Sequence, residues 1–155
     1  MDKFNRLIEF IFGHEGYKSD DTNDSGRLTI WGIASKFWPA EVAAMKTMTP
    51  EDAKEVAKGI YYRNYWLPAG CDNYPDKVAL AIFDSAVNCG VPAVQGWLIE
   101  ISDAFGTNPP IITAHDVIFK RQQYYINIVN RRGTQSIFLP GWIQRTIDIW
   151  TYKVN

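Results

Sequence analysis

Apolar side chains recur at helical spacing from the start of the chain. Positions 4, 7, 8, 11 and 12 are all phenylalanine, leucine or isoleucine, which is the i, i+3, i+4, i+7, i+8 pattern of one buried helix face. One further turn along the same face reaches Glu15, and Gly16 then supplies a stop. The pattern therefore predicts a first helix that ends with a carboxylate on its buried face.

A polar segment follows this helix. Residues 16–30 are rich in glycine, serine, asparagine and aspartate, which favour turns and irregular loops. Within it, the sequence Leu-Thr-Ile-Trp at 28–31 has the composition of a short strand. We expect a small β-hairpin or an irregular loop after the first helix.

The rest of the chain predicts helices. Thr49 and Pro50 resemble an N-cap followed by proline at the first helical position, which opens a helix to about Tyr65. Later apolar stripes predict helices that close near glycines 90, 106 and 133, and a last one over 139–154. We therefore expect an all-α or nearly all-α fold, with residues 1–155 in one compact unit.

Composition and charge restrict the class of protein further. A chain of 155 residues that is 46% hydrophobic can bury a core of one domain. The net charge of −1 conceals an asymmetry, because residues 111–155 carry +4 and residues 1–110 carry −5. A basic C-terminal part favours polyanions such as cell-wall polymers or nucleic acid, although a solvated basic face is an equal alternative.

Several function classes are disfavoured. Two cysteines without a CxxC motif and two histidines do not predict a metal site, so we expect no metal and no cofactor. Apolar runs fall short of the roughly 18 residues that a transmembrane helix needs, so we expect no membrane insertion. The N-terminus lacks the pattern of a signal peptide, so another factor would deliver the protein to any substrate outside the cytoplasm.

The position of Glu15 suggests acid catalysis. A carboxyl donates a proton near neutral pH when apolar surroundings raise its pKa, and glycoside hydrolysis uses such an acid with a second, ionised polar group. The polar loop offers Asp24 nine residues later, with Asp20 and Asp21 as substitutes, and Thr29 follows. From patterning alone, a solvated glutamate and a structural turn remain the alternative.

Three motifs in this region resemble a known family. The sequence His-Glu-Gly-Tyr at 14–17, the Asp-rich turn at 20–26 and the segment Thr-Ile-Trp-Gly-Ile at 29–33 resemble the N-terminal signature of glycoside hydrolase family 108. The resemblance implies a lysozyme-like fold and an N-acetylmuramidase. Such an enzyme cleaves the β-1,4 bond between N-acetylmuramic acid and N-acetylglucosamine in peptidoglycan. It also implies that Glu15 is the general acid. The spacing from Glu15 through Asp24 to Thr29 resembles the Glu–Asp–Thr triad of phage-type lysozymes, which implies that Asp24 and Thr29 are further catalytic residues.

The resemblance extends into the second half. The sequence at 83–90 is similar to the opening of the peptidoglycan-binding region that usually accompanies this catalytic domain, and the sequence at 138–145 to its closing motif. This implies a catalytic lobe over 1–82 and a helical peptidoglycan-binding lobe over 83–155. The residues expected to contact the glycan are Tyr17, Asp20, Asp21, Trp31, Asp84 and Asn88.

Two other functions remain as hypotheses. Arg27 stands where the family's Asp-rich turn has a second glycine, which motivates a non-catalytic wall-binding or secretion-accessory protein that keeps the fold. A nucleic-acid-binding domain would use the basic end, but no recognition motif supports it, and we expect no nucleic-acid partner. Resemblance to phage endolysins implies synthesis in the cytoplasm, export through a holin or a secretion system, and action on the wall in the periplasm or outside the cell.

Overall fold

Helices dominate the computed structural model, which describes residues 2–19, 28–105 and 111–154. A small three-stranded sheet accompanies them, so the predicted mainly α, lysozyme-like class is confirmed. Over the described ranges, no helix is both long and apolar enough to cross a membrane. The elements are α1 (Asp2–Glu15), β1 (Lys18–Ser19), β2 (Thr29–Ile30), β3 (Ile33–Ala34), α2 (Pro39–Met45), α3 (Pro50–Tyr61), α4 (Asp76–Cys89), α5 (Val91–Phe105), α6 (Ala114–Arg131) and α7 (Leu139–Thr151).

The chain divides into two compact units, residues 1–64 and residues 65–155. In the first unit, the predicted apolar face of α1 forms the core, since Phe4, Leu7, Ile8, Ile11 and Phe12 are all buried. The helix ends where the pattern predicts. Gly16 adopts a left-handed φ of 71°, and its N–H donates to the carbonyl of Phe12 at 3.0 Å, which closes the last turn.

The sheet lies directly after α1 and runs antiparallel in the order β1-β2-β3. Thr29 pairs with Ser19 and Ala34, while Ile30 pairs with Ile33 on the buried face. The strand is shorter than predicted because Trp31 leaves it. Trp31 and Gly32 both have positive φ, 49° and 76°, as in the two-residue turns that join hairpin strands.

Two further helices complete the first unit. The side chain of Thr49 accepts a hydrogen bond from the Asp52 N–H at 3.2 Å, so the predicted N-cap opens α3. The predicted helix to Tyr65 instead continues beyond Tyr61 as a π-helical turn over Tyr62–Trp66. Helix α2 was not predicted, since its seven residues bury only Val42 and Met45 and are too few for a clear apolar period.

The second unit is built around α4. Every residue from Val78 to Ala86 is buried, because α5, α6 and α7 all pack against this helix. Helix α6 opens with a capping box between Thr113 and Asp116. Lys77 donates to the carbonyls of Ile149 at 2.9 Å, Trp150 at 3.1 Å and Tyr152, which ties the end of α7 to α4. The expected division of function between 1–82 and 83–155 stays a prediction.

Candidate active site

Glu15 is the last residue of α1 and is half-buried. Its side chain lies against the turn of the β2–β3 hairpin. A Cβ atom on Gly32 would be 2.8 Å from Cγ of Glu15 and 3.1 Å from its Cβ. The hairpin backbone therefore touches the methylenes of Glu15 directly, at a position where any larger residue would push against them.

Tyr61, at the end of α3, contacts the same hairpin turn at Trp31 and Gly32. The side chain is 2% exposed, and its hydroxyl donates to the carbonyl of Trp31 at 3.3 Å. A Cβ on Gly32 would overlap this hydroxyl as well. Tyr61 was not among the predicted site residues. Its burial follows the helical spacing from Ala53 and Ala57, but nothing in that spacing points to Glu15.

Tyr17 follows Glu15 by two residues and Trp31 directly precedes Gly32, and the rings of Tyr17 and Trp31 contact each other. We call this pair the aromatic platform. Their ring centroids are 5.4 Å apart, and Tyr17 is 40% exposed. The N–H of Trp31 donates to the carbonyl of Tyr17 at 2.8 Å, and its indole N–H donates to the carbonyl of Pro50 at 3.0 Å. Phe12 packs on Trp31 from the core at 5.1 Å. The structure thus brings two of the predicted glycan-contacting residues together.

Lys54 also supports this surface, and it was not predicted. Its ammonium group lies 5.1 Å from the ring centroid of Phe12 and 5.3 Å from that of Trp31. The same group pairs with Glu9 at 2.8 Å. Because Phe12 and Glu9 belong to α1 and Trp31 to the hairpin turn, Lys54 of α3 holds the turn against α1.

Of the other predicted polar site residues of the first unit, the structure describes only Thr29. Thr29 is half-buried in the central strand and lies on the face opposite buried Ile30. It precedes the Trp31–Gly32 turn that touches Glu15. Asp20, Asp21 and Asp24 lie outside the described residues. Their predicted roles therefore stay predictions.

Asp84 belongs to the second unit, and its surroundings differ from those expected of a glycan-contacting residue. The side chain is fully buried and pairs with Arg121 at 2.5 Å and with Arg145 at 2.7 Å. A carboxylate enclosed by two guanidinium groups has no surface to offer a glycan, which corrects that expectation. Asn88 is exposed, and its side-chain amide donates a hydrogen bond to the backbone carbonyl of Asp84 in the same helix at 2.8 Å.

The charges in this buried cluster determine its electrostatics. Burial alone would raise the pKa of Asp84, but Arg121 and Arg145 outweigh it and hold the pKa of this carboxyl below its usual value. Arg121 is fully buried with Asp84, so its guanidinium group has a structural role in this pair. Burial raises the pKa of the nearby Cys89 thiol, and the hydroxyl of Tyr125 accepts from Nε of Arg121 at 2.7 Å. The cluster is a structural link between α4, α6 and α7.

Candidate metal ligands do not converge within the described part of the chain. No group of three or more histidine, cysteine, aspartate or glutamate side chains there could hold a metal ion. Cys71 and Cys89 are free thiols, and Cys71 is buried.

Comparisons with known proteins bear on this site. A family model described as glycosyl hydrolase 108 matches residues 8–90, more than half of the chain, and this segment includes Glu15, Gly32 and Tyr61. Among solved structures, the chain is similar to one described as the structure of Brucella abortus SagA. The TM-score is 0.66 at 25% identity, over 96% of this chain and 91% of that chain. No curated protein matches the chain.

Proposed function

This chain belongs to the glycosyl hydrolase 108 family, and we propose that it is a peptidoglycan hydrolase with N-acetylmuramidase activity. The substrate is then the β-1,4 bond between N-acetylmuramic acid and N-acetylglucosamine. The observation that carries the proposal is the placement of Glu15. It ends a helix with a buried apolar face, and its methylenes touch the hairpin turn at Gly32, the residue after Trp31 of the aromatic platform. A carboxyl group whose stem packs against a turn that carries an aromatic ring suits acid catalysis on a sugar.

In the proposed mechanism, Glu15 protonates the glycosidic oxygen as the bond to the anomeric carbon breaks. Water attacks that carbon, and a proton of the water passes to a polar group. The products are two shorter glycans, one with a new reducing end and the other with a new hydroxyl group. Asp24 is the proposed second polar group, with Asp20 and Asp21 as substitutes. Thr29 would orient the water through its hydroxyl. Two acidic groups on opposite sides of the scissile bond are the usual requirement of this chemistry.

The aromatic platform supplies the proposed sugar contacts. Pyranose rings present apolar C–H faces, which suit the exposed face of Tyr17 and the ring of Trp31. Lys54 and the Pro50 carbonyl hold Trp31 in place, so little side-chain entropy is lost when a sugar binds. In the second half, we propose that residues 83–155, Asn88 among them, bind peptidoglycan. Export through a holin or a secretion system would bring the protein to the wall.

Hydrolysis of purified peptidoglycan tests the proposal. The wild-type chain and the variants Glu15→Gln and Glu55→Gln are compared by turbidity loss and by assay of new reducing ends. Glu55 is a suitable control because its carboxylate is exposed on α3 and pairs only with Lys58 at 2.7 Å in the described residues. We expect new reducing ends from wild type and from Glu55→Gln, and a loss of at least about a hundredfold in Glu15→Gln.

The same assay separates the alternatives. Equal activity of Glu15→Gln and wild type would place the acid at another residue. A folded wild-type chain that sediments with peptidoglycan without releasing reducing ends would support the non-catalytic wall-binding protein instead. Release of peptide amines without reducing ends would mean that a different bond is cleaved.

A further inference from the structure

A groove in the second unit combines aromatic and basic side chains. It has a volume of about 420 Å³ and lies where the end of α6 meets the segment leading into α7. The groove belongs entirely to the C-terminal basic part of the chain. Its lining residues are Tyr124, Ile128, Arg131, Arg132, Gln135 and Trp142.

The aromatic wall of this groove is anchored in the core. Trp142 stacks on Tyr125 with ring centroids 4.9 Å apart and an angle of 26° between the planes. Tyr125 is 3% exposed, and its hydroxyl is held by buried Arg121. Tyr124 packs edge-on against Trp97 at 5.6 Å. Both lining rings are thus fixed by buried neighbours, as a preformed sugar-binding wall requires.

The basic side of the groove lacks a counter-charge. Arg131 and Arg132 are exposed, and neither has an ion-pair partner among the described residues. Among the residues that the structure describes, no carboxylate lines the groove. Asp84, whose partner Arg121 holds the hydroxyl of Tyr125 behind Trp142, is already paired with two arginines. Two adjacent guanidinium groups are therefore open to an external carboxylate, which they can bind through paired hydrogen bonds.

We propose that this groove binds a saccharide that carries free carboxylates. The sugar ring lies against Trp142 and Tyr124, the carboxylate pairs with Arg131 and Arg132, and the Gln135 amide meets a sugar hydroxyl. The identification of this saccharide as a muramyl peptide rests on the proposed function. The amino-acid stem on muramic acid supplies the carboxylates that a neutral chitin oligomer lacks.

A structural role for the two arginines makes a different prediction. Arg131 ends α6 and Arg132 follows it, so both could merely complement the negative end of the helix dipole. In that case their replacement would lower the thermal stability and leave ligand affinity unchanged. A binding role requires the affinity to depend on the arginines and on the carboxylates of the ligand together.

The test titrates the full chain, in its Glu15→Gln form to prevent turnover, with N-acetylmuramoyl-L-alanyl-D-glutamate and with the same compound amidated at both glutamate carboxylates. Calorimetry gives the affinities, and NMR follows the indole N–H of Trp142. We expect the amidated ligand, or Arg131→Gln combined with Arg132→Gln, to weaken binding by about tenfold or more. Amidation of the ligand should weaken binding to the double arginine variant little further, because both changes remove the same interaction. The control Lys153→Gln removes an exposed charge that does not line the groove and should bind like the parent.

Three outcomes would overturn the proposal, and a fourth would overturn the proposed enzymatic function alone. Equal affinity for the acidic and amidated ligands would show that no carboxylate is recognised. Loss of thermal stability without loss of affinity in the arginine variants would leave only the helix-end role. Tighter, arginine-dependent binding of a short DNA strand than of the muramyl peptide would assign the groove to nucleic acid. Arginine-dependent binding in a chain whose wild type does not hydrolyse peptidoglycan would refute the enzyme and keep the groove.

Discussion

Gly32 and Glu15 are in direct contact, since a Cβ on Gly32 would lie 2.8 Å from Cγ of Glu15. This contact joins the end of α1 to the β2–β3 turn. The turn holds Gly32 at a φ of 76°, a conformation that a residue with a side chain rarely adopts. Backbone conformation and close packing therefore both require glycine at this position.

Replacement of Gly32 by alanine should damage the candidate active site. The new methyl group would push on Glu15 and on the Tyr61 hydroxyl, and the positive φ adds strain of about 1–3 kcal/mol. We expect at least about a tenfold loss of hydrolysis with a protein that still folds. The control is Gly13→Ala, because nothing lies within 4 Å of a Cβ there and alanine favours the helix by about 0.5–1 kcal/mol. Activity equal in both variants would contradict the assignment.

Removal of the Tyr61 hydroxyl should lower turnover more than substrate affinity. In Tyr61→Phe the ring keeps its edge-on contact with Phe12 at 5.9 Å, so the core stays packed. The lost hydrogen bond to Trp31 costs about 0.5–1.5 kcal/mol of unfolding free energy, and the turn against Glu15 loosens. We expect kcat to fall several-fold with KM nearly unchanged.

The matched control for this variant is Tyr62→Phe, whose ring packs on Phe4 at 5.1 Å. It tests deletion of a tyrosine hydroxyl from the neighbouring residue. Equal kcat values for the two variants, measured on soluble glycan fragments, would show that the Tyr61 hydroxyl does not position Glu15.

Replacement of Lys54 by methionine should loosen the Trp31 turn. Methionine keeps most of the apolar stem but removes the contact of the ammonium group with two rings and its pair with Glu9. The side chain is 26% exposed, so we expect a loss of about 1 kcal/mol in unfolding free energy. Urea unfolding of Lys54→Met and of Lys58→Met measures this. Lys58 pairs with the more exposed Glu55, and its replacement should cost less than about 0.5 kcal/mol.

Asp84→Asn should weaken the second unit and change its response to acid. The folded protein holds the pKa of Asp84 below the usual 3.8, so the carboxylate contributes its full stabilisation well above that pH. This contribution is lost as the pH falls from 3.8 through the lower pKa of the folded state. At neutral pH the variant leaves two arginines facing a neutral amide, which should cost about 3–5 kcal/mol.

Urea unfolding at neutral pH and below pH 3.8 checks this prediction against the exposed control Asp103→Asn. The Asp84 variant should lose less stability on acidification than wild type, because it has no carboxyl to protonate in the cluster. An acid dependence identical to wild type would show that Asp84 is not the group that links the stability of this unit to pH.

Local sequence patterns determined the buried face and the end of α1 and the start of α3 in the first unit. The buried face of α1 could be predicted from its own sequence, because five large apolar side chains at helical spacing lie on one face of the helix. That period also placed Glu15 on the face turned to the core, and Gly16 predicted the end of the helix. The N-cap at Thr49 could also be predicted from local sequence, because a capping side chain forms a hydrogen bond with its own helix.

Only the tertiary structure decided which side chains meet. Asp84 and Asn88 were both expected to contact the glycan, but Asp84 is fully buried. The arginines that enclose Asp84 come from α6 and α7, far along the chain, and no local pattern could assign them to it. Tyr61 and Gly32 converge on Glu15 for an equally non-local reason. Sequence periodicity determines which face of an element is buried, whereas packing between distant elements determines what each buried group touches.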